Sequence, residues 1–152
     1  MGPKQNLHPR SPGRSEEGAG NQSGACPVVG IGASAGGLEA FTRFFEATPP
    51  ETGMAFVLVQ HLDPTHESLT AELLGKHTRM PVRQVAEDIS VRANHVYVIP
   101  PNKYLSISKG VLRLAPPPER RRIRMPIDFF FRSLAEDQQE RAIGIILSGT
   151  GT

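Results

Sequence analysis

The sequence predicts an α/β domain: a doubly wound, mostly parallel sheet with helices on both faces and an antiparallel β-hairpin insertion. Three observations carry that prediction. The apolar runs Val28–Ile31, Met54–Val59 and Ile143–Leu147 are nearly continuous rather than alternating, as strands covered on both faces must be. Helical patterns with apolar residues three and four apart lie between them. The middle of the chain holds a quick succession of short β-rich segments bounded by turn residues.

In chain order, residues 1–25 are rich in Gly, Pro, Ser, Asn and Gln, and Leu7 is their only large aliphatic residue besides Met1. Such a stretch cannot bury enough surface to offset its ordering entropy, so a disordered tail or linker is expected there, with the folded domain over 26–152. After the first strand, Leu38, Phe41, Phe44 and Phe45 mark one face of a helix that Pro49-Pro50 stops. A second helix is expected from near Thr65 to about Gly75, with Leu69 and Leu73 on one face. Val82–Val85, Val96–Ile99, Leu105–Ser108 and Val111–Leu114 read as short strands, the last two joined as a hairpin at Lys109-Gly110. A third helix opens at Pro126, where proline costs no hydrogen bond, and directs Ile127, Phe130, Phe131 and Leu134 to a core.

Composition removes several function classes. The chain has 152 residues, enough for one domain with a real core and too few for two. A net charge of +2, with seven Phe, two Tyr and no Trp, argues against a nucleic-acid-coating surface or a base-stacking platform. The single cysteine, Cys26, permits no internal disulfide and suits a reducing compartment. It stands at the N-terminal end of the first strand, opposite the strand edge where open α/β sheets keep their sites. No apolar run approaches the roughly 18 residues of a membrane span, and the first residues lack a signal peptide's apolar centre. The expectation is a cytoplasmic protein that neither binds nucleic acid nor inserts into membranes.

The chemistry is expected at Val28-Val29-Gly30-Ile31-Gly32-Ala33-Ser34-Ala35-Gly36-Gly37, a strand that runs into a glycine-rich turn bearing one hydroxyl. A strand, a sharp turn and a helix N-terminus aim backbone N–H groups at whatever lies above, which suits a phosphate or a developing oxyanion. Two readings compete. Gly30-x-Gly32-x-x-Ala35 satisfies the loose dinucleotide fingerprint, while Ser34 on such a turn resembles an exposed nucleophile. The second strand ends in Gln60-His61-Leu62-Asp63-Pro64, which in a parallel sheet brings His61 to the same C-terminal edge as Ser34. A serine hydroxyl is a weak nucleophile until a base such as imidazole, with a pKa of about 6.5, takes its proton. The blander alternatives are that Ser34 caps the first helix and that His61 is a polar strand-end residue.

The octet Gly30 to Gly37, the Gln60-His61-Leu62-Asp63-Pro64 run, His95-Val96-Tyr97-Val98-Ile99-Pro100-Pro101 and Leu147-Ser148-Gly149-Thr150-Gly151 occur in order and at suitable spacings. Together they resemble the catalytic domain of the chemotaxis-type protein-glutamate methylesterases (CheB), over about Pro27 to Thr152. The short N-terminal tail resembles the start of fused methylesterase–methyltransferase proteins. The resemblance implies a serine hydrolase that demethylates methyl-glutamate residues of chemoreceptors in sensory adaptation and, in some members, deamidates glutamines. It implies Ser34 as nucleophile, His61 as general base, and backbone N–H groups of Ala35 and Thr150 as oxyanion donors, with no cofactor and no metal. The partners it implies are methyl-accepting chemoreceptor-like proteins and fused or associated methyltransferase and signalling domains.

One departure from the family pattern bears on activity. The third triad member is expected to be an aspartate in a G-x-G-x-D-G motif, and Gly149-Thr150-Gly151-Thr152 ends at the residue before it. Asp63 and Asp128 are carboxylates but occupy other positions. Loss of the orienting aspartate in the serine-protease template costs about 10⁴ in kcat, so little activity is expected from these residues alone. Arg120, Arg121, Arg122 and Arg124 form the densest charge run. It reads as a solvated loop, or, through Arg122 and Arg124, as a fork for carboxylates on an acidic receptor surface. His61, Asp63 and His66 have donor types that suit a metal, but no second His or Cys cluster completes a shell. The dinucleotide reading lacks its acidic residue at the end of the second strand, where Gln60 and His61 stand instead. A docking or sensory module that keeps the fold without hydrolysis is the non-enzymatic alternative.

Overall fold

The computed structural model describes residues 26–34, 36–61, 69–119 and 125–148. Five strands build the main sheet: β1 (Val28–Ala33), β2 (Ala55–Gln60), β3 (Val82–Gln84), β5 (Val96–Val98) and β8 (Ala142–Ser148), in the order β3-β5-β2-β1-β8. Every pairing in it is parallel, with Val28 to Ala33 in register with Ala55 to Gln60. The three long apolar runs therefore form its centre and one edge, and side chains on alternate positions enter two cores.

One core takes Val29, Ile31, Phe56, Leu58, Val96 and Val98 from the sheet. It is closed by α1 (Gly37–Glu46), whose Phe41 and Phe45 are fully buried, and by α2 (Thr70–Leu74) through Leu74. Phe45 and Phe56 meet edge to face with centroids 5.3 Å apart, a favourable aromatic geometry. The Thr48 hydroxyl donates to the Phe44 carbonyl at 2.6 Å, closing the end of α1 before the two prolines. The other core takes Val28, Ala55, Val57, Val59, Tyr97 and Ile99 and is covered by α3 (Pro126–Gln138) through Phe130 and Leu134.

A second sheet also lies against this side. Its strands are β4 (Ile89–Ser90), β6 (Tyr104–Ser108) and β7 (Val111–Ala115), in the antiparallel order β4-β7-β6. Lys109 and Gly110 adopt positive φ values of 51° and 71°, the geometry of a two-residue hairpin turn. Asp137 of α3 accepts from both turn N–H groups, at 3.0 Å from Gly110, and so fastens the hairpin to the helix.

The β6–β7 hairpin is the expected antiparallel insertion, and the two-residue β4 pairs beside β7. Two expectations need correction. Val82–Gln84 and Val96–Val98 belong to the parallel main sheet rather than to the antiparallel excursion, because Val82 and Phe56 both pair with Val96. The second helix has its described turn at Thr70–Leu74 and buries Leu74, while Leu69 is 56% exposed; the expected start near Thr65 lies outside the described residues.

Candidate active site

β1 leaves its ladder at Ala33, and Ser34 follows at once. The Gly37 N–H donates to the Ser34 carbonyl at 2.9 Å, which ties Ser34 to the first residue of α1. Gly36 takes φ +80° at the N-cap, a left-handed conformation in which a Cβ is strained. The cap position therefore falls on Gly36, two residues past Ser34, and not on the serine.

β2 ends beside it. Ala33 is the register partner of Gln60, and the His61 N–H donates to the Ala33 carbonyl at 3.3 Å. Ser34 and His61 thus leave adjacent parallel strands one after the other at the same edge, Ser34 partly buried and His61 exposed. On the other side of β1 the register slips by one residue, so that Ala33 pairs with Ser148. This brings Ser148, the last residue of β8, to the same edge. The β1–β2 connection runs through α1 on one face and the entry to β8 through α3 on the other, so β1 and β8 flank a topological switch point. Open α/β sheets place their ligand crevices there.

The glycines of the run divide by task. A Cβ on Gly30 would lie 2.9 to 3.1 Å from Leu134, Phe131 and Phe130, and one on Gly32 would lie 2.7 Å from Ile127. Both sit within β1 and let α3 approach the sheet, so they do not cradle a phosphate. Only Gly36 supplies the unusual turn angle.

Sequence reasoning missed the part played by Gln60 and Thr70. Thr70, buried at 6% exposure, donates a long hydrogen bond of 3.4 Å to Gln60 Oε1, and Gln60 Nε2 lies 2.8 Å from where a Cβ on Gly37 would stand. The only sequence signal was the polar residue closing an otherwise apolar strand. Beside His61 a narrow cleft is lined by Pro100, Pro101, Tyr104, Pro117 and Pro126, and the Tyr104 hydroxyl accepts from the Met125 N–H at 2.8 Å. On the far side of the turn an open groove lies between α1 and β8, lined by Gly36, Glu39, Arg43, Phe44 and Leu147.

The remaining candidates are placed as follows. Ala35, Asp63, His66, Arg120, Arg121, Arg122, Arg124 and Thr150 lie outside the described residues. Asp128 is exposed in the first turn of α3, beside Phe129 and Arg132. His77 contacts Glu46 at 2.8 Å, and His95 contacts the Ala93 carbonyl at 2.8 Å just before β5, at the opposite end of the strands from Ser34. Cys26 precedes β1 and packs partly against the core. No group of three or more metal-ligating side chains occurs among the described residues, and no helix among them is long and apolar enough to cross a membrane.

A family model described as CheB methylesterase matches residues 29–152. The chain belongs to the CheB methylesterase family. A protein-glutamate methylesterase/protein-glutamine glutaminase 3 of Burkholderia orbicola (strain AU 1054) is 38% identical over 125 residues, which is 82% of this chain and 37% of the relative. The corresponding protein 2 of Burkholderia lata is 35% identical over 146 residues, 95% of this chain and 43% of that relative. The chain therefore spans about two fifths of the length of these curated relatives. The crystal structure of the Thermotoga maritima CheB methylesterase catalytic domain superposes with a TM-score of 0.75 at 24% identity, covering 84% of this chain and 70% of that one, and shares the CheB fold described above.

Proposed function

We propose that this chain carries the nucleophile and the general base of a protein-glutamate methylesterase, with Ser34 and His61 in those roles. One observation supports the reading above the others: the Ala33–Gln60 register and the His61 N–H to Ala33 carbonyl bond seat the two residues on adjacent strand ends, in a member of the CheB methylesterase family. In this reading His61 removes the Ser34 proton as the oxygen attacks the ester carbonyl of a methyl-glutamate side chain. The tetrahedral oxyanion is held by backbone N–H groups of Ala35 and Thr150. Collapse expels methanol, which takes its proton from the imidazolium and leaves an acyl-Ser34. Water activated by His61 then attacks that ester, freeing glutamate and restoring the hydroxyl. A glutamine amide follows the same course with ammonia as leaving group.

The substrates of this reading are chemoreceptor-like proteins in the cytoplasm, met through carboxylates that pair with Arg122 and Arg124. Residues 26–152 form the methylesterase domain and 1–25 a tail or linker. The test is a fluorophosphonate probe on the folded full chain. Labelling should fall on Ser34, vanish in Ser34→Ala and drop at least a hundredfold in His61→Ala. Labelling indifferent to His61, or none on folded protein that also carries the aspartate of the G-x-G-x-D-G motif, would favour the docking-module alternative.

A further inference from the structure

We propose that Gln60 is a positioning residue for the nucleophile: its carboxamide, seated against Gly37 and tied to Thr70, holds the Ser34–Gly37 turn in register with His61. This rests on the reading of Ser34 and His61 given above. Gln60 is the register partner of Ala33, which precedes Ser34, and the immediate neighbour of His61, so it stands next to both strand ends that carry the pair. Its Oε1 accepts from the Thr70 hydroxyl, which belongs to the first residue of α2 and is itself buried. Its Nε2 lies 2.8 Å from where a Cβ would stand on Gly37, the residue whose N–H donates to the Ser34 carbonyl. Gly37 has no positive φ, so a side chain there would be opposed by contact, with the Gln60 carboxamide at 2.8 Å and Ala33 Cβ at 3.1 Å, and not by backbone conformation. A polar side chain packed between two helix starts and the strand edge resists sliding of the turn along β2, and small misplacements of a nucleophile cost one to two orders of magnitude in rate.

The experiment combines turn dynamics with reactivity in the full chain. Gln60→Ala should raise the hydrogen-exchange rate of the Gly37 amide about tenfold. It should slow His61-dependent fluorophosphonate labelling of Ser34 ten- to a hundredfold without moving the pH midpoint of labelling, since the base is untouched. Gly37→Ala should slow labelling in the same way by displacing the carboxamide, and in the double variant Gly37→Ala/Gln60→Ala the two losses should not multiply, because both act through the one carboxamide. Losses that multiply would mean that the Gly37 substitution acts elsewhere, for instance on Ala33 Cβ, which would stand 3.1 Å from the new methyl group. Unchanged Gly37 exchange and unchanged labelling in Gln60→Ala, or a double variant worse than either single one, would overturn the proposal. Faster Gly37 exchange in Gln60→Ala, beside labelling of Ser34 in the parent protein that is indifferent to His61, would support the clamp while rejecting the esterase reading.

Discussion

Gly30→Ala tests the assignment of the strand glycines to packing. The added Cβ meets Leu134 Cδ2 at 2.9 Å, Phe131 Cε1 at 3.0 Å and Phe130 Cε1 at 3.1 Å, all closer than ordinary van der Waals contact. Leu134 and Phe130 are 2% and 0% exposed, so neither ring nor methyl can swing into solvent, and α3 must lift from β1. Overpacking of this kind costs about 1–3 kcal/mol, and replacing a strand glycine returns about 0.5–1 kcal/mol of backbone entropy. The net loss is centred on about 1.3 kcal/mol, which at a urea dependence of about 2 kcal/mol per molar lowers the unfolding midpoint by roughly 0.6 M. Gly144, the register partner of Gly30 on β8, is the control: its Cβ would stand 3.3 Å from Phe131 Cε2, so alanine there should cost clearly less. An unchanged or raised midpoint for Gly30→Ala, or the reverse ranking of the two variants, would refute the packing argument.

Burial pushes the Asp137 carboxyl up, but the Gly110 N–H, the Gln138 amide, the Lys109 N–H and the Arg141 charge together outweigh it and leave it below the usual carboxylate value. Its stabilisation is therefore full above the unfolded-state pKa, near 3.9, and is lost as pH falls through the lower folded value. Asp137→Asn should cost about 1 kcal/mol at neutral pH, the low end for charged hydrogen bonds because the site is partly solvated. In denaturation curves taken from pH 7 to pH 2 the two proteins should converge at the acid end; a gap that widens there would contradict the sign. Gly36→Ala adds a Cβ into open space at φ +80°, so the loss should be conformational only, about 1–2 kcal/mol by thermal melts, and a neutral result would mean that the turn can rearrange. Ile143 and Ile146 are 40% and 61% exposed on the edge strand β8 and point to opposite faces, so sedimentation should show association that rises with concentration and is weakened by Ile146→Lys. A stable monomer at high concentration would reject it.

The core strands and the helix faces were legible because burial on both sides leaves a residue pattern that nothing else produces: Val28–Ile31 and Ala55–Val59 are apolar at every position or broken only by glycine. The hairpin at Lys109-Gly110 was legible for a local reason, a two-residue turn between short β runs. What was hidden depends on non-local pairing. Nothing within Val82–Gln84 or Val96–Val98 tells a parallel partner from an antiparallel one, since three residues carry no face pattern of their own and Val96 is claimed by both Phe56 and Val82. Leu74 replaced Leu69 as the buried residue of α2 because five residues make little more than one turn, and which side faces the sheet is set by tertiary contact rather than by period.

The turn itself was only half legible. As a string, Gly30 to Gly37 looks like one glycine loop, and the dinucleotide reading follows from treating its glycines alike. In the fold they answer different constraints: Gly30 and Gly32 admit α3, Gly36 turns the chain, and Gly37 yields its side-chain volume to Gln60. A phosphate cradle needs these N–H groups facing a ligand, yet two of the four glycines lie inside a strand ladder between β2 and β8. Ser34 is the one residue of the octet whose side chain can hold an exchangeable proton, and it is placed where the ladder ends. On the reading proposed above, Ser34 there has to be held at a fixed distance from His61, because the rate of a nucleophile depends on its distance to its base.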